Sequence, residues 1–271
     1  MLLKTNGDIL IDSIKINFDT EGLWILNIAL AIIMFGVALS IKIDDFKLLI
    51  KKPKILLVGV FSQFFLLPAL TFVAILIIKP HPSFALGMMM IAACPGGNIS
   101  NFFSKMAKGN SALSVSLTAF ATVICLLMTP LNLQFYSGLY EPTNEIIKTV
   151  QLDPIELFKL VLLILGIPIV LGMSLNHYFE EISKKIEVLL KPFSIVVFLA
   201  LIVIAFYDNI DVFLKYIHLV AGLVIFHNIG AYFIGFYTAK TFGLEKKDRK
   251  TICMETGIQN GGLGLLLIFQ F

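Results

Sequence analysis

Eight stretches of about 20 almost wholly apolar residues dominate this 271-residue chain: 22–42, 54–78, 84–104, 110–134, 154–176, 187–207, 211–239 and 251–271. A helix rises about 1.5 Å per residue and needs about 20 such residues to cross a hydrocarbon layer. The runs are continuous rather than alternating, and they outlast the strands of a membrane barrel. They predict an all-α polytopic membrane protein. Composition agrees: 58% of residues are hydrophobic and 14% charged, against about 25% charged in soluble domains. A nucleic-acid binder, a secreted disulfide scaffold and a soluble Rossmann or barrel enzyme do not fit. Cys94, Cys125 and Cys253 lie in or beside apolar runs and form no CxxC pair. Neither a zinc site nor a disulfide framework is indicated. The opening residues have no apolar core followed by a small-residue cleavage site, so the first long run is expected to direct insertion.

Basic residues in the connections set the expected orientation. Of the 21 Lys and Arg residues, 15 fall on one side of the eight-span arrangement. That side, which includes the KKPK and KKDRK clusters, is expected to be cytoplasmic, and the tail 1–21 to be outside. The short tails suggest a bacterial inner membrane. The connection 135–153 carries Gly138, Glu141, Pro142, Asn144 and Glu145. It reads as a linker between a first unit, 22–134, and a second, 154–271.

Two spans are interrupted. The third places Pro95, Gly96 and Gly97 ahead of Asn98, Ser100, Asn101 and Ser104; the eighth surrounds Glu255 with Gly257, Gln259, Asn260, Gly261 and Gly262. Proline removes a donor and glycine loosens the backbone. At bilayer depth the freed polar groups are tolerated only inside protein or along a cavity. Paired interruptions point to a transporter binding site, although Gly and Pro also allow close helix packing. The two spans are five apart and therefore run oppositely, which predicts an inverted repeat of five-helix units lacking its first and last helices. A chain truncated at its C-terminal end, or a fragment, is the expectation that follows.

Glu255 is an acidic residue placed inside a span, where a carboxylate is costly unless paired, hydrated or protonated. Three readings stand: a ligand for a hard cation such as sodium, a protonatable relay, or a side chain reaching the cytoplasmic surface. Ser114 and Thr118 are four apart and share a helix face, beside Ser116 and Thr122, though hydroxyls in membrane helices also serve as interhelical glue. Gln63 is a carboxamide near mid-span, beside Pro68. Asn98 and His227 are further candidates for substrate contact; His227, next to Asn228, equally suits a packing role.

In order along the chain, IMFGVALSI, KPK, QFFLLP, CPGGNISN, KGNSALSVSLT, HN and ETGIQNGGLG make the sequence resemble the bile acid:sodium symporter family over about 250 residues, from the first run to the end. The resemblance implies an inverted-repeat transporter with two crossing discontinuous helices. The panel domain would take runs one, five and six, and the core domain the other five. It implies two sodium sites: Ser100, Asn101, Ser114, Thr118 and Glu255 for one; Gln63, Glu255, Gln259 and the backbone oxygens of Thr256 and Ile258 for the other. Asn260 would face an organic anion in a cavity between panel and core. The implied function is sodium-coupled uptake of a bile-acid-like or small carboxylic solute by alternating access. No cofactor is called for beyond the coupling sodium ions, two in number; the partners are the anion, sodium and the bilayer, with no nucleic acid. The alternatives are a proton-coupled carrier, an oxyanion or metalloid exporter using Cys94, and a truncated non-transporting membrane protein. An intramembrane enzyme is not supported, since His227 has no partner motif and a second membrane acid for an aspartyl type is not found.

Overall fold

A computed structural model describes residues 20–42, 44, 45, 47, 51–97, 99–150 and 154–268. Each of the eight apolar runs carries helix. Helix α1 is Thr20–Ala38 and α2 is Pro53–Ile78. The third run is split into α3, Pro82–Ala93, and α4, Ile99–Met106. Then come α5, Ser111–Leu139, and α6, Glu141–Val150. Helix α7 runs through Pro154–Val161, Leu162–Gly166 and Ile167–Tyr178; α8 is Glu180–Asp208 and α9 is Ile210–Thr241. The eighth run is split into α10, Lys246–Gly257, and α11, Gly261–Ile268. Among the described residues there is no strand, only one isolated antiparallel bridge.

Local chemistry explains the punctuation. Proline occupies the first turn of α2 and α3, where its missing N–H costs nothing. The Asn110 side chain caps α5 by accepting from the Leu113 N–H at 3.2 Å. Lys79 ends α2 in the left-handed region. Within the connection 135–153, α5 continues to Leu139 and α6 follows at once. Pro142 and Glu141 in the first turn of α6 are favourable helix-start residues.

Only α2, α5 and α9 are, among the described residues, uninterrupted, long and apolar enough to span on length and composition alone. At 1.5 Å per residue, the 12 residues of α3 reach about 18 Å, well short of the hydrocarbon thickness. The split runs are therefore half-spans. Helix α9 turns large apolar side chains outward, including Leu214, Val224, Ile225 and Phe226, as a lipid-facing helix does.

Two sets of helices can be followed by their packing. In one, α1 packs on α8 and on the Ile167–Tyr178 part of α7, which also contacts α8. The ends are tied: Asn176 Nδ2 donates to the Ile41 carbonyl at 2.9 Å, and Ser183 Oγ to the Leu39 carbonyl at 3.3 Å. Glu180, at the start of α8, lies 3.3 Å from both Lys184 and Lys42. Hydrogen bonds first from Lys184 and then from Lys42 hold its carboxyl below the usual glutamate range. In the other set, α9 packs along α10, and α10 contacts α4, α5 and α2. An apolar cluster of Met34, Phe64, Met88, Met89, Met90, Cys125, Leu133, Leu165 and Leu263 joins the two sets.

A wide turn in α2 aims residues at the second set. Pro68 cannot donate to the carbonyl four residues earlier, Phe64. That carbonyl instead accepts from Asn132 Nδ2 of α5 at 2.8 Å. The backbone over Ser62–Leu66 widens to a π-turn, a feature often found at functional positions. Ser62, Gln63 and Phe64 are all buried in succession, which the 100° step of a regular surface helix would not favour.

Candidate functional site at the helix crossing

The two breaks meet backbone to backbone. Gly96 and Gln259 form the antiparallel bridge. The Gly97 N–H donates to the Ile258 carbonyl at 2.8 Å, and the Asn260 N–H to the Pro95 carbonyl at 2.9 Å. Neighbouring freed carbonyls are also matched. Ala93 accepts from Thr129 Oγ1 at 2.7 Å, and Cys94 from Gln63 Nε2 at 2.8 Å. Orphaned backbone groups in hydrocarbon cost several kcal/mol each, so this matching is what permits two irregular segments at depth. Gly96 is required by contact: a Cβ there would stand 2.8 Å from the Glu255 carbonyl oxygen and 3.0 Å from its Oε2.

Glu255, 6% exposed, lies one turn before the second break. Ser100 Oγ of α4 and Ser114 Oγ of α5 donate to its Oε1 at 2.6 and 2.5 Å. Thr118 Oγ1 donates to its Oε2 at 2.8 Å and also lies 3.2 Å from Asn101 Oδ1. A hydroxyl has one proton, so it cannot fully serve both oxygens. The result is a knot of hard oxygens carrying one carboxylate, a donor set suited to a small hard cation. The reading in which Glu255 reaches the surface does not hold: its carboxylate is buried and fully engaged.

Next to it, Ser62 Oγ and Thr256 Oγ1 are 3.0 Å apart. Gln63 Nε2 also donates to Gln259 Oε1 at 2.7 Å, and Gln259 Nε2 donates to the Thr256 carbonyl at 2.5 Å. Gln63 Oε1 is buried with no hydrogen-bond partner among the described residues. A cavity of about 20 Å³ lies against Gln63, Gly96, Glu255, Gly59, Phe64 and Leu117. That is room for one water-sized occupant.

Of the residues singled out from sequence, Ser100, Asn101, Ser114, Thr118 and Glu255 come together in one group. Gln63, Thr256 and Gln259 come together in the adjoining one, where the Ile258 carbonyl already accepts from Gly97. Asn260 sits at the edge of the crossing, its Oδ1 accepting from the Leu263 N–H at 3.2 Å as α11 begins. Asn98 lies outside the described residues. His227 is not part of this network; its Nε2 pairs with Thr71 Oγ1 of α2 at 2.9 Å. The Cys94 thiol is fully buried in the apolar cluster, beside Gly264. Ser62, Thr129 and Asn132 were not singled out. Their partners lie on other helices, the Thr256 hydroxyl for Ser62, the Ala93 carbonyl for Thr129 and the Phe64 carbonyl for Asn132, so no pattern within their own helix marks them.

The chain is similar to known proteins over most of its length. Residues 27–216 match the Sodium Bile acid symporter family. The sodium-dependent transporter YocS of Bacillus subtilis (strain 168), itself uncharacterized, is 31% identical over 242 residues, spanning 89% of this chain and 73% of YocS. The chloroplast protein BASS1 of Arabidopsis thaliana, named a probable sodium/metabolite cotransporter, is 28% identical over 246 residues, 90% of this chain and 58% of that protein. The human ileal sodium/bile acid cotransporter is 29% identical over 241 residues, 87% and 66%. The chain thus spans between about half and three quarters of the length of the relatives it matches.

Proposed function

From the premise that the chain belongs to the sodium bile acid symporter family, we propose that it is a sodium-coupled symporter that takes up an organic anion, bile-acid-like or a smaller carboxylic acid. The observation that carries this reading is the buried Glu255 carboxylate, wrapped by hydroxyls from two other helices with Asn101 Oδ1 alongside. One sodium ion is held there, by Ser100, Asn101, Ser114, Thr118 and Glu255. A second is held by Gln63, Glu255, Gln259 and the carbonyls of Thr256 and Ile258, where the unpartnered Gln63 Oε1 offers a lone pair.

Sodium neutralises Glu255 and draws α4, α5 and α10 onto one centre. The crossing is then fixed, and Asn260 is presented to the anion, with Asn98 and His227 as further contacts. Ion and anion therefore raise each other's affinity. Two sodium ions with one monoanion carry one net charge inward, which makes about 2.3 kcal/mol available per 100 mV. Helices α1, α7 and α8 act as the panel, and the core carrying the crossing moves against them. The two units are inverted repeats in a bacterial inner membrane, with the N-terminus outside. The exporter reading draws no support from Cys94, whose thiol is sealed in apolar packing.

The test is thermal unfolding of purified protein in sodium against potassium at constant ionic strength, with Glu255→Ala and Asn101→Ala beside the parent. A ligand held only by the folded state adds about 2.7 kcal/mol at a hundred times its Kd. The expected result is a sodium-specific rise in midpoint, lost in both variants. Equal midpoints for the parent in both salts defeat the proposal.

A further inference from the structure

The polar chemistry around Glu255 continues toward the Lys-rich side. Ser104 is four residues after Ser100, Thr251 four before Glu255, and Asn110 four before Ser114. Residues four apart share a helix face one turn along. The ladder therefore descends one turn on three helices at once, toward the Lys-rich side. There Ser104 Oγ and Thr251 Oγ1 are 3.0 Å apart and wholly buried. Thr251 Oγ1 accepts from the Asn110 N–H at 2.8 Å, and Asn110 Nδ2 donates to Asp248 Oδ1 at 2.9 Å. Asp248 is a buried carboxylate, 4% exposed. On the opposite flank, residues 84–93 of α3 and 261–268 of α11 are entirely apolar or glycine.

The turn 107–110 closes this ladder. A Cβ on Gly109 would stand 2.8 Å from both the Ser104 and Thr251 hydroxyls, so the turn lies directly over them. Lys108 holds a left-handed φ of 57°, uncommon for a residue with a side chain. Lys250 Nζ pins the turn by donating to the Ala107 carbonyl at 2.7 Å.

We propose that Ser104, Thr251 and Asp248 form a transient station for a monovalent hard cation between the Glu255 group and the Lys-rich face, and that the turn 107–110 is its gate. The inference rests on the sodium-coupled reading. Opening requires Lys250 to leave Ala107 and Asn110 to leave Thr251. The cation then exchanges the Glu255 oxygens for the Ser104 and Thr251 hydroxyls, and Asp248 draws it outward. Interhelical glue alone would hold the same helices together, but it would not set the speed of ion movement.

The experiment uses the full chain with sodium as the probe. Equilibrium affinity is read from the sodium-dependent unfolding midpoint. The rate is read from charge displacement after a sodium jump on proteoliposomes. Thr251→Val and Asp248→Asn should each slow the displacement about tenfold, while affinity stays within about twofold, because neither touches the Glu255 oxygens. Thr251→Ser should restore the parent rate. Unchanged rates in folded Thr251→Val and Asp248→Asn overturn the gate and leave the sodium reading standing. Rate loss in Thr251→Val that Thr251→Ser does not rescue also overturns it, in favour of packing. A parent with no sodium-specific midpoint shift overturns both.

Discussion

The oxygens around Glu255 come from side chains on regular helix, whereas the atoms around Gln63 come largely from interrupted backbone. Ser100, Ser114 and Thr118 each reach the carboxylate from an unbroken turn. Gln63 spans the breaks instead, touching the Cys94 carbonyl and Gln259, whose own amide holds the Thr256 carbonyl. The first group can be dismantled one hydroxyl at a time. The second is tied to the place where two segments of backbone cross. Side-chain oxygens set the charge of the centre, and backbone oxygens set its shape.

The largest expected effect erases the contrast altogether. Gly96→Ala places a methyl against both the Glu255 carbonyl and its carboxylate. Overpacking of this kind costs about 1–3 kcal/mol. Both groups should fail together, seen as a lower midpoint in potassium and no sodium-specific rise. Retention of that rise would show that the two groups are not geometrically coupled. Gln63→Leu sharpens the contrast by touching one side only. The sodium dependence of uptake should fall from a Hill coefficient of about 2 to about 1, while sodium still raises the unfolding midpoint through Glu255. A coefficient unchanged by this substitution would remove Gln63 from the second site.

These expectations mark what was readable in the chain and what was not. The apolar runs announce their helices, and Pro95-Gly96-Gly97 and Gly257 announce the breaks, because proline and glycine act locally. Glu255 is conspicuous because a carboxylate at depth needs a reason. The partners were not readable from local pattern. That Ser62 meets Thr256, or that Asn132 serves Phe64, depends on the rotation of one helix against another 68 or more residues away. Membrane-helix hydroxyls look alike in sequence whether they face a site or a neighbour. Helix α6 lay within what read as a linker, because its Pro142 and Gly138 nearby weigh equally as helix-start and loop signals.

A smaller effect tests whether the support of the second group is separable from its chemistry. Asn132→Leu leaves the Phe64 carbonyl without its partner, which costs about 1–3 kcal/mol. The midpoint should fall equally in sodium and potassium. A selective loss in sodium would mean that the wide turn of α2 is itself adjusted by the ion.

The smallest effect lies away from both groups, at Glu180. Its carboxyl sits below the usual range because Lys184 and Lys42 favour the charged form. The stability it contributes is present at neutral pH and is lost as pH falls through that lowered value. Glu180→Gln should therefore lower the midpoint slightly at pH 7 and match the parent once the pH is well below about 4. The pair is exposed, so added salt should shrink even the neutral-pH difference. A difference persisting in acid would mean that the substitution acts on packing rather than charge.

The bridge between Gly96 and Gln259 also limits how such a crossing can evolve. Its two hydrogen bonds run between amide and carbonyl groups that every residue except proline carries in full. Most substitutions along the two segments therefore cannot delete them. Side chains around the crossing are free to change the ion, the anion or the rates, generation after generation, while the junction that holds them in register stays the same. Gly96 lacks that freedom, since any side chain there must enter the space of Glu255, and so does Gly257, whose Cβ would run into the Tyr232 ring.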